Sequence, residues 1–323
     1  MKILIVKPSS FGDIIQANPI LKAIKSKWKD SLIDWLVFKQ WKQVVELFPN
    51  INNIKCWDRK GGIKAFFNIL KECNKENYDL VIDLQGLLRT ALFCRLLKAK
   101  QKIGVSGMKE LSWLLLKEPY KKNKKENAVI RNLNSLSYIT KEKYEPYFNI
   151  NTEIFPYNIL EKYDIKKEDK IVAFIPFSRG KTKIWNTDNY IFLANMIKSK
   201  NKNIKIIVLG SQKDYGRIKT DNIIDLCGKT TIKELAQILS ICELAIGADT
   251  GAMHLANAIG IKNIFIFGGS DINETAPYGD NAKVITANLS CSPCRGKCKF
   301  NKEKCLEAIK PYDVFESIKE WIK

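Results

Sequence analysis

No stretch of this chain approaches the roughly 18 consecutive apolar residues of a membrane span. The amino-terminal apolar run, Ile3–Val6, is too short for the core of a secretory signal. These absences predict a soluble, cytoplasmic protein. No G-x-G-x-x-G follows the first strand candidate, which argues against a dinucleotide dehydrogenase. Gly180-Lys181-Thr182 and Gly228-Lys229-Thr230 look like the ends of phosphate-binding P-loops. That loop needs a further glycine at the positions held here by Ile175 and Ile223. No two aspartates lie two residues apart, so the Asp-x-Asp metal clamp of many sugar-nucleotide enzymes is missing. Arginine is scarce too: seven residues, against a total of 54 Lys plus Arg.

Apolar residues make up 46% of the 323 positions, enough for a globular chain with two sizeable cores. The formal net charge is +20, almost all of it from lysine. A field of that sign favours anionic partners, such as phosphorylated sugars, nucleic acid or an acidic membrane surface. Nucleic-acid binding predicts aromatic residues interleaved with basic ones in an exposed groove, and no such run stands out. Five of the nine cysteines (Cys56, Cys73, Cys94, Cys227, Cys242) are scattered and read as reduced thiols. The other four, Cys291, Cys294, Cys298 and Cys305, begin with a C-x2-C pair. They are candidates for structural zinc, reduced thiols or a disulfide.

The pattern predicts two successive α/β halves. Strand candidates in the first are Ile3–Val6, Leu32–Val37 and Leu80–Asp83, with helical stretches at Trp41–Leu47 and Ile63–Cys73. Residues from about 100 to 160 read as less regular, and residues 151–169 as a linker. The second half alternates cleanly, with strands at Ile171–Ile175, Ile204–Leu209, Ile223–Leu226, Leu244–Gly247 and Asn263–Phe267. The intervening helices include Ile232–Leu239, capped by Thr231 with Glu234 in a capping box, and Ala252–Ile259. Thr187 or Asp188 can cap the helix after the first of these strands. Such alternation argues for parallel sheets. A last helix is expected over Tyr312–Ile322.

Open α/β sheets keep their sites in loops at the carboxyl ends of the strands. Two such loops carry chemistry. In Lys7-Pro8-Ser9-Ser10-Phe11-Gly12-Asp13, Asp13 is a lone carboxylate between a strand and a helix, a general base or a helix cap. In Gly247-Ala248-Asp249-Thr250-Gly251-Ala252-Met253-His254, the backbone N–H groups of Thr250 and Gly251 would sit at the positive end of a helix, suited to a phosphate. Asp249 could accept from sugar hydroxyls or hold the turn, and His254 is the chain's one histidine.

These two segments, together with Ile82-Asp83-Leu84-Gln85-Gly86-Leu87, Phe267-Gly268-Gly269-Ser270-Asp271 and Pro277-Tyr278-Gly279, resemble the lipopolysaccharide heptosyltransferases, glycosyltransferase family 9. Within that family the opening segment resembles heptosyltransferase I most. The resemblance runs in order through nearly the whole chain. It implies a GT-B fold: two Rossmann-like domains whose parallel sheets face each other across a cleft. On that basis residues 1–160 form the acceptor-binding domain and residues 161–311 the nucleotide-sugar-binding domain. Residues 312–323 form a terminal helix returning toward the amino-terminal domain.

The resemblance also implies an inverting transfer from ADP-heptose to 3-deoxy-octulosonic acid on lipid A, with no cofactor and no metal ion. Asp13 then becomes the catalytic base. Lys183 becomes the phosphate-binding lysine, against a plain reading as one more solvated lysine. The donor pocket takes Ser178, Asp214, Thr230, Asp249, Thr250, Gly251 and His254. On the acceptor side stand Ser10, Gly12, Arg59, Lys60 and Lys64, the last three alternatively a solvated basic turn. Arg179 and Asn127 depart from what relatives often carry at those positions. A phosphorylated lipid acceptor further implies peripheral contact with the inner membrane, by a protein expected to be monomeric and not to bind nucleic acid. Two alternatives stay open: a family member with another sugar or acceptor, including heptosyltransferase II, and a nucleotide-sugar sensor without turnover.

Overall fold

Among the described residues of the computed structural model, eleven short strands, most of them buried apolar runs, alternate with helices. The structure describes residues 1–323 except 124, 154–162, 164, 167, 288, 295–297, 299–303 and 323. The chain divides into two units, Met1–Asn151 and Thr152–Lys323. Most of the expected linker, 151–169, lies outside the described residues.

The first unit holds β1 (Lys2–Val6), β2 (Leu32–Phe38), β3 (Asn53–Trp57), β4 (Tyr78–Asp83) and β5 (Ala99–Gly104). Its helices are α1 (Phe11–Ala17), α2 (Pro19–Lys27), α3 (Lys42–Val45), α4 (Gly62–Cys73), α5 (Leu88–Leu96) and α6 (Ala128–Thr140). All strand pairs are parallel, in the order β3-β2-β1-β4-β5. The central strands are buried on both faces, as parallel sheets require, so β1, β2 and β4 read as near-continuous apolar runs. The edge strands β3 and β5 have the sequences NIKCW and AKQKIG. Their polar residues suit a half-exposed edge and conceal them from an apolar-run reading. Within the stretch that reads as less regular, the described residues include most of β5 and the 13-residue α6.

The second unit holds β6 (Ile171–Ile175), β7 (Lys205–Val208), β8 (Ile224–Asp225), β9 (Leu244–Ala248), β10 (Lys262–Phe267) and β11 (Ala282–Thr286), parallel in the order β11-β10-β9-β6-β7-β8. Its helices are α7 (Thr187–Lys200), α8 (Ile232–Ser240), α9 (Gly251–Ile259), α10 (Ile272–Thr275), α11 (Lys304–Ala308) and α12 (Pro311–Ile318). The expected capping box is present: Thr231 Oγ1 accepts from Glu234 N at 3.2 Å, and a Glu234 carboxylate oxygen accepts from Thr231 N at 2.6 Å. α7 is capped by Asn186, whose side chain accepts from Asp188 N at 3.1 Å, rather than by Thr187 or Asp188.

The terminal helix belongs to the second unit's own core. α12 packs on α7, and Val314, Ile318 and Ile322 lie buried among the side chains over β6 and β7. The apolar face of this helix covers α7.

Both sheets have a point where the strand order reverses. In the first, the chain runs outward through β2 and β3 on one side of β1 and through β4 and β5 on the other. In the second, β7 and β8 lie beyond β6, and β10 and β11 lie beyond β9. Loops leaving the two central strands diverge there and open a crevice at their carboxyl ends. The registers Val6↔Asp83 and Ile175↔Gly247 mark those ends.

Candidate active site

In the first unit, the crevice between β1 and β4 carries three ionisable groups. Lys7 directly follows β1 and is buried, with Nζ donating to the Leu84 carbonyl at 2.7 Å. Burial lowers its pKa from the ordinary lysine value, partly opposed by the carboxylates of Asp13 and Asp83. Asp83 ends β4 and is fully buried. Its Oδ1 accepts from the backbone N–H of Gln85 and Gly86, and its Oδ2 from the Thr90 hydroxyl at 2.9 Å. Burial nonetheless raises its pKa to about 6. Gln85 accepts in turn from Ser9 N at 3.3 Å, which ties the β4 loop to the β1 loop.

Asp13 lies in the first turn of α1. Its Oδ2 accepts from Ser10 N at 3.0 Å and from Ser10 Oγ at 2.5 Å. The capping reading is therefore part of its role, and it fixes where the carboxylate sits. Capping and proton abstraction are compatible, because a carboxylate offers about four lone-pair sites.

Beside this loop is a cavity of about 810 Å³. Its lining includes Ser9, Arg59, Gln85 and Arg89, with a mainly aromatic and aliphatic remainder that includes Phe38, Trp57 and Phe66. Arg59 is exposed, with its guanidinium 5.6 Å from the centre of the Phe38 ring. Of the three basic residues expected on the acceptor side, only Arg59 lines this cavity. Lys64 lines a separate hollow of about 320 Å³ with Asp58 and Glu72. Lys60 lines neither, and its backbone N–H donates to Asp58 Oδ1 at 2.9 Å. Ser10 and Gly12 stand half-buried at the start of α1, outside the cavity lining. Asn127 caps α6 through a bond from Val129 N at 2.9 Å.

In the second unit, the loops after β6 and β9 meet at the β6/β9 crevice. Lys183 Nζ lies 2.7 Å from Asp249 Oδ2. The same oxygen accepts from Ser270 Oγ at 2.6 Å, and Asp249 Oδ1 lies 3.2 Å from His254 Nε2. Asp249 and His254 are buried, while the Lys183 side chain is 34% exposed. Burial alone would push the Asp249 carboxyl up. His254 and Lys183 outweigh it and hold the group well below the usual carboxylate range. Thr250 caps α9, accepting from Met253 N at 3.5 Å, and Gly251 is the helix's first residue.

The loop is fixed from several sides. Lys183 N donates to the Gly180 carbonyl at 3.0 Å, and Gly269 N to the Thr182 carbonyl at 3.2 Å. A side chain at Gly268 would meet that Thr182 carbonyl at 2.4 Å, so glycine is required for the close approach. Trp185 is fully buried, with Nε1 donating to the Ile309 carbonyl at 2.9 Å, and it anchors the end of the loop. The Asn257 side-chain amide donates to the Tyr278 carbonyl at 3.0 Å and holds the Pro277-Tyr278-Gly279 turn against α9.

Other expected donor residues lie on neighbouring loops. Ser178 is half-buried after β6, and its hydroxyl accepts from Gly180 N at 3.4 Å. Thr230 is half-buried just before the cap of α8. Asp214 is buried and has both oxygens engaged. Ser211 N and Oγ donate to Oδ2, and Arg217 donates to Oδ1 at 3.0 Å. It organises the loop after β7 instead of presenting an open carboxylate. The four late cysteines are free thiols. No group of three or more His, Cys, Asp or Glu residues converges as a metal site among the described residues.

Sequence reading gave no role to Lys7, Asp83, Arg89 or Ser270. Asp83 carried a signal, a carboxylate at the end of a buried strand followed by a glycine turn. Ser270 stands in one of the segments that carry the resemblance, but its bond to Asp249 had no local signal, because that partner lies 21 residues earlier.

Residues 66–305 match the family described as Glycosyltransferase family 9 (heptosyltransferase). The chain belongs to that family. It is therefore a glycosyltransferase. It is 28% identical to lipooligosaccharide heptosyltransferase 2 of Campylobacter jejuni, over 99% of both chains. It is 27% identical to lipopolysaccharide heptosyltransferase 1 of Campylobacter coli, over 99% of this chain and 98% of that one. Among solved structures, a family 9 glycosyltransferase from Veillonella parvula superposes with a TM-score of 0.87 at 21% identity, covering 99% of this chain and 97% of that one. E. coli heptosyltransferase WaaC with ADP superposes with a TM-score of 0.80 at 20% identity, covering 99% and 100%. These likenesses show the fold, which is GT-B with two Rossmann-like parallel sheets.

Proposed function

We propose that the protein transfers heptose from ADP-heptose to the 3-deoxy-octulosonic acid–lipid A inner core of lipopolysaccharide, with inversion at the anomeric carbon. The observation that carries this reading is the second unit's switch point in a chain of this family. There a partly exposed cation, Lys183, and the N-terminus of α9 lie at one crevice, with Asp249 paired to the lysine. A diphosphate suits both: the lysine as a point charge, the helix end as a set of aligned N–H donors. Asp13 takes the acceptor hydroxyl's proton as it attacks. Negative charge then grows on the departing ADP, and Lys183 with the Thr250–Gly251 backbone opposes it.

The acceptor is assigned to the first unit. Arg59 and Arg89 line its cavity, and both suit two-pronged recognition of phosphate or carboxylate. The enzyme works from the cytoplasmic face of the inner membrane, where such a lipid acceptor is reached. A second reading, the heptosyltransferase II step, is favoured by one observation: the 28% identity to a heptosyltransferase 2. Incubating the protein with ADP-heptose and defined acceptors, with and without a first heptose, separates the two by product mass. Transfer to neither acceptor would count against both.

A further inference from the structure

Fourteen large apolar side chains are exposed among the described residues, and eight of them sit on three neighbouring segments of the first unit. Scattered exposed apolar residues are normal, whereas a contiguous group marks a contact surface. α5 lies against both α4 and the turn Ser112–Leu114. Ile63 and Phe67 stand one turn apart on α4. Leu92 and Leu96 continue a line begun by Leu88 on α5, and Trp113 and Leu114 extend the patch on the turn. Ile63 and Leu114 are 76% and 74% exposed, far beyond what a helix facing its own core leaves open.

Cations are interleaved with this patch. Lys64 follows Ile63, Arg89 follows Leu88, Arg95 precedes Leu96, and Lys109 and Lys117 bracket the 111–114 turn; all five are exposed. Ile63, Phe67, Leu88, Leu92 and Arg89 of this face also line the largely apolar cavity, where Glu110 is the one carboxylate in the lining.

From this juxtaposition we propose that the face formed by α4, α5 and the 111–114 turn docks on an anionic lipid bilayer. Its apolar side chains enter the headgroup–acyl boundary and its cations meet lipid phosphates. Interfacial binding of this kind combines buried apolar area with attraction to anionic lipid. Charge decides against a second copy of the chain as occupant, since two such basic faces would repel each other. No described helix is long and apolar enough to cross a membrane, so the contact is peripheral. The proposal rests on the reading that the acceptor is a membrane lipid, and it names the surface that brings the first unit to it.

The test uses the full chain and its Leu96→Ser/Trp113→Ser/Leu114→Ser variant. These three positions are exposed and lie outside the cavity lining, so the variant is expected to fold. Flotation with vesicles of mixed phosphatidylethanolamine and phosphatidylglycerol should capture the parent. Pure phosphatidylcholine should capture it weakly, and the variant should bind the anionic vesicles at least tenfold less. Transfer to an acyl-free, water-soluble acceptor should be unchanged in the variant. Brominated lipid should quench part of the parent's tryptophan emission, and Trp113→Phe should remove that part. Equal vesicle binding by parent and variant overturns the proposal. So does self-association through this face, if the variant abolishes it in sedimentation and leaves vesicle binding unchanged. If the parent transfers sugar to no lipopolysaccharide acceptor while the flotation difference persists, the functional reading falls and the docking surface stands.

Discussion

Replacing Lys183 with alanine separates donor binding from folding. In the structure its ammonium is 2.7 Å from Asp249 Oδ2, but a third of the side chain remains exposed. Solvent screens such a pair, so its loss costs the fold about 1 kcal/mol or less. Asp249 keeps Ser270 and His254 as partners, and its burial is therefore not left uncompensated. The thermal midpoint should drop by no more than a few degrees, roughly 2–4 °C per kcal/mol for a unit of this size. The diphosphate loses more. A charge-assisted hydrogen bond to phosphate contributes about 1.5–3 kcal/mol, which corresponds to a roughly ten- to hundredfold rise in the Kd of ADP. Turnover should fall as well, because the charge on the leaving ADP grows toward the transition state. Titration calorimetry with ADP and steady-state rates read the two effects. In an Asp249→Asn background the same change should cost less, since the lysine is no longer positioned. Unchanged ADP affinity and unchanged rate in a folded Lys183→Ala protein would refute the reasoning and return this side chain to a solvated surface role.

Asp13→Asn should leave ADP binding intact and cut turnover by about a hundredfold or more, while the amide still accepts from Ser10 N and limits the stability loss to about 1 kcal/mol; near-parental turnover in the folded variant removes Asp13 from the mechanism. Changing Arg59, Lys60 and Lys64 together to alanine should impair acceptor use and its salt sensitivity while sparing ADP binding, since exposed charges are screened over about 10 Å at 0.1 M salt. Equal losses on both substrates point instead to the fold. Asp83 has a folded pKa of about 6 against about 3.9 when unfolded, so the unfolded chain ionises first and stability should fall between about pH 4 and 6, by up to roughly 3 kcal/mol, then level off. Denaturant melts across that window should show a slope that Asp83→Asn removes. Asp249 works in the opposite direction: its pKa is lowered on folding, so its contribution is full above the ordinary carboxylate range and is lost as pH falls below about 4. Acid titration of Asp249→Asn should therefore lack that part of the parent's loss.

The two-unit α/β plan was legible because β1, β4, β6, β9 and β10 are buried on both faces and so appear as apolar runs. The strands that escaped, β3, β5 and β11, lie at sheet edges, where lysine, asparagine and glutamine are tolerated. Helix α5 also escaped. Its outward line of Leu88, Leu92 and Leu96 erases the polar face that marks an ordinary surface helix. The site was partly legible for the same reason that it is local. The Ser10–Asp13 and Thr250–Met253 bonds span three residues each, and motif spacing reports them. The Lys183–Asp249 and Ser270–Asp249 contacts span 66 and 21 residues. Only the parallel pairing of β6 with β9 brings the first of these together, and no local pattern encodes it.

The two switch points show how one topology supports opposite electrostatic tasks. Each gathers charged groups on the strands or loops at the carboxyl ends of its central strands, with a helix N-terminus following one of those loops. In the first unit the lysine is buried and its neighbours are carboxylates, so Lys7 steadies a loop that carries Asp13. Lys7 Nζ donates to the Leu84 carbonyl at 2.7 Å and so ties the loop after β4 to the end of β1. In the second unit the carboxylate is buried and the lysine is partly exposed, so Asp249 steadies a cation that faces outward. In the first unit both Lys7 and Asp83 are buried, whereas in the second the lysine keeps a third of its side chain exposed. On the proposed function, a proton acceptor in one unit and an ammonium available to phosphate in the other are what a displacement of ADP by a hydroxyl would require.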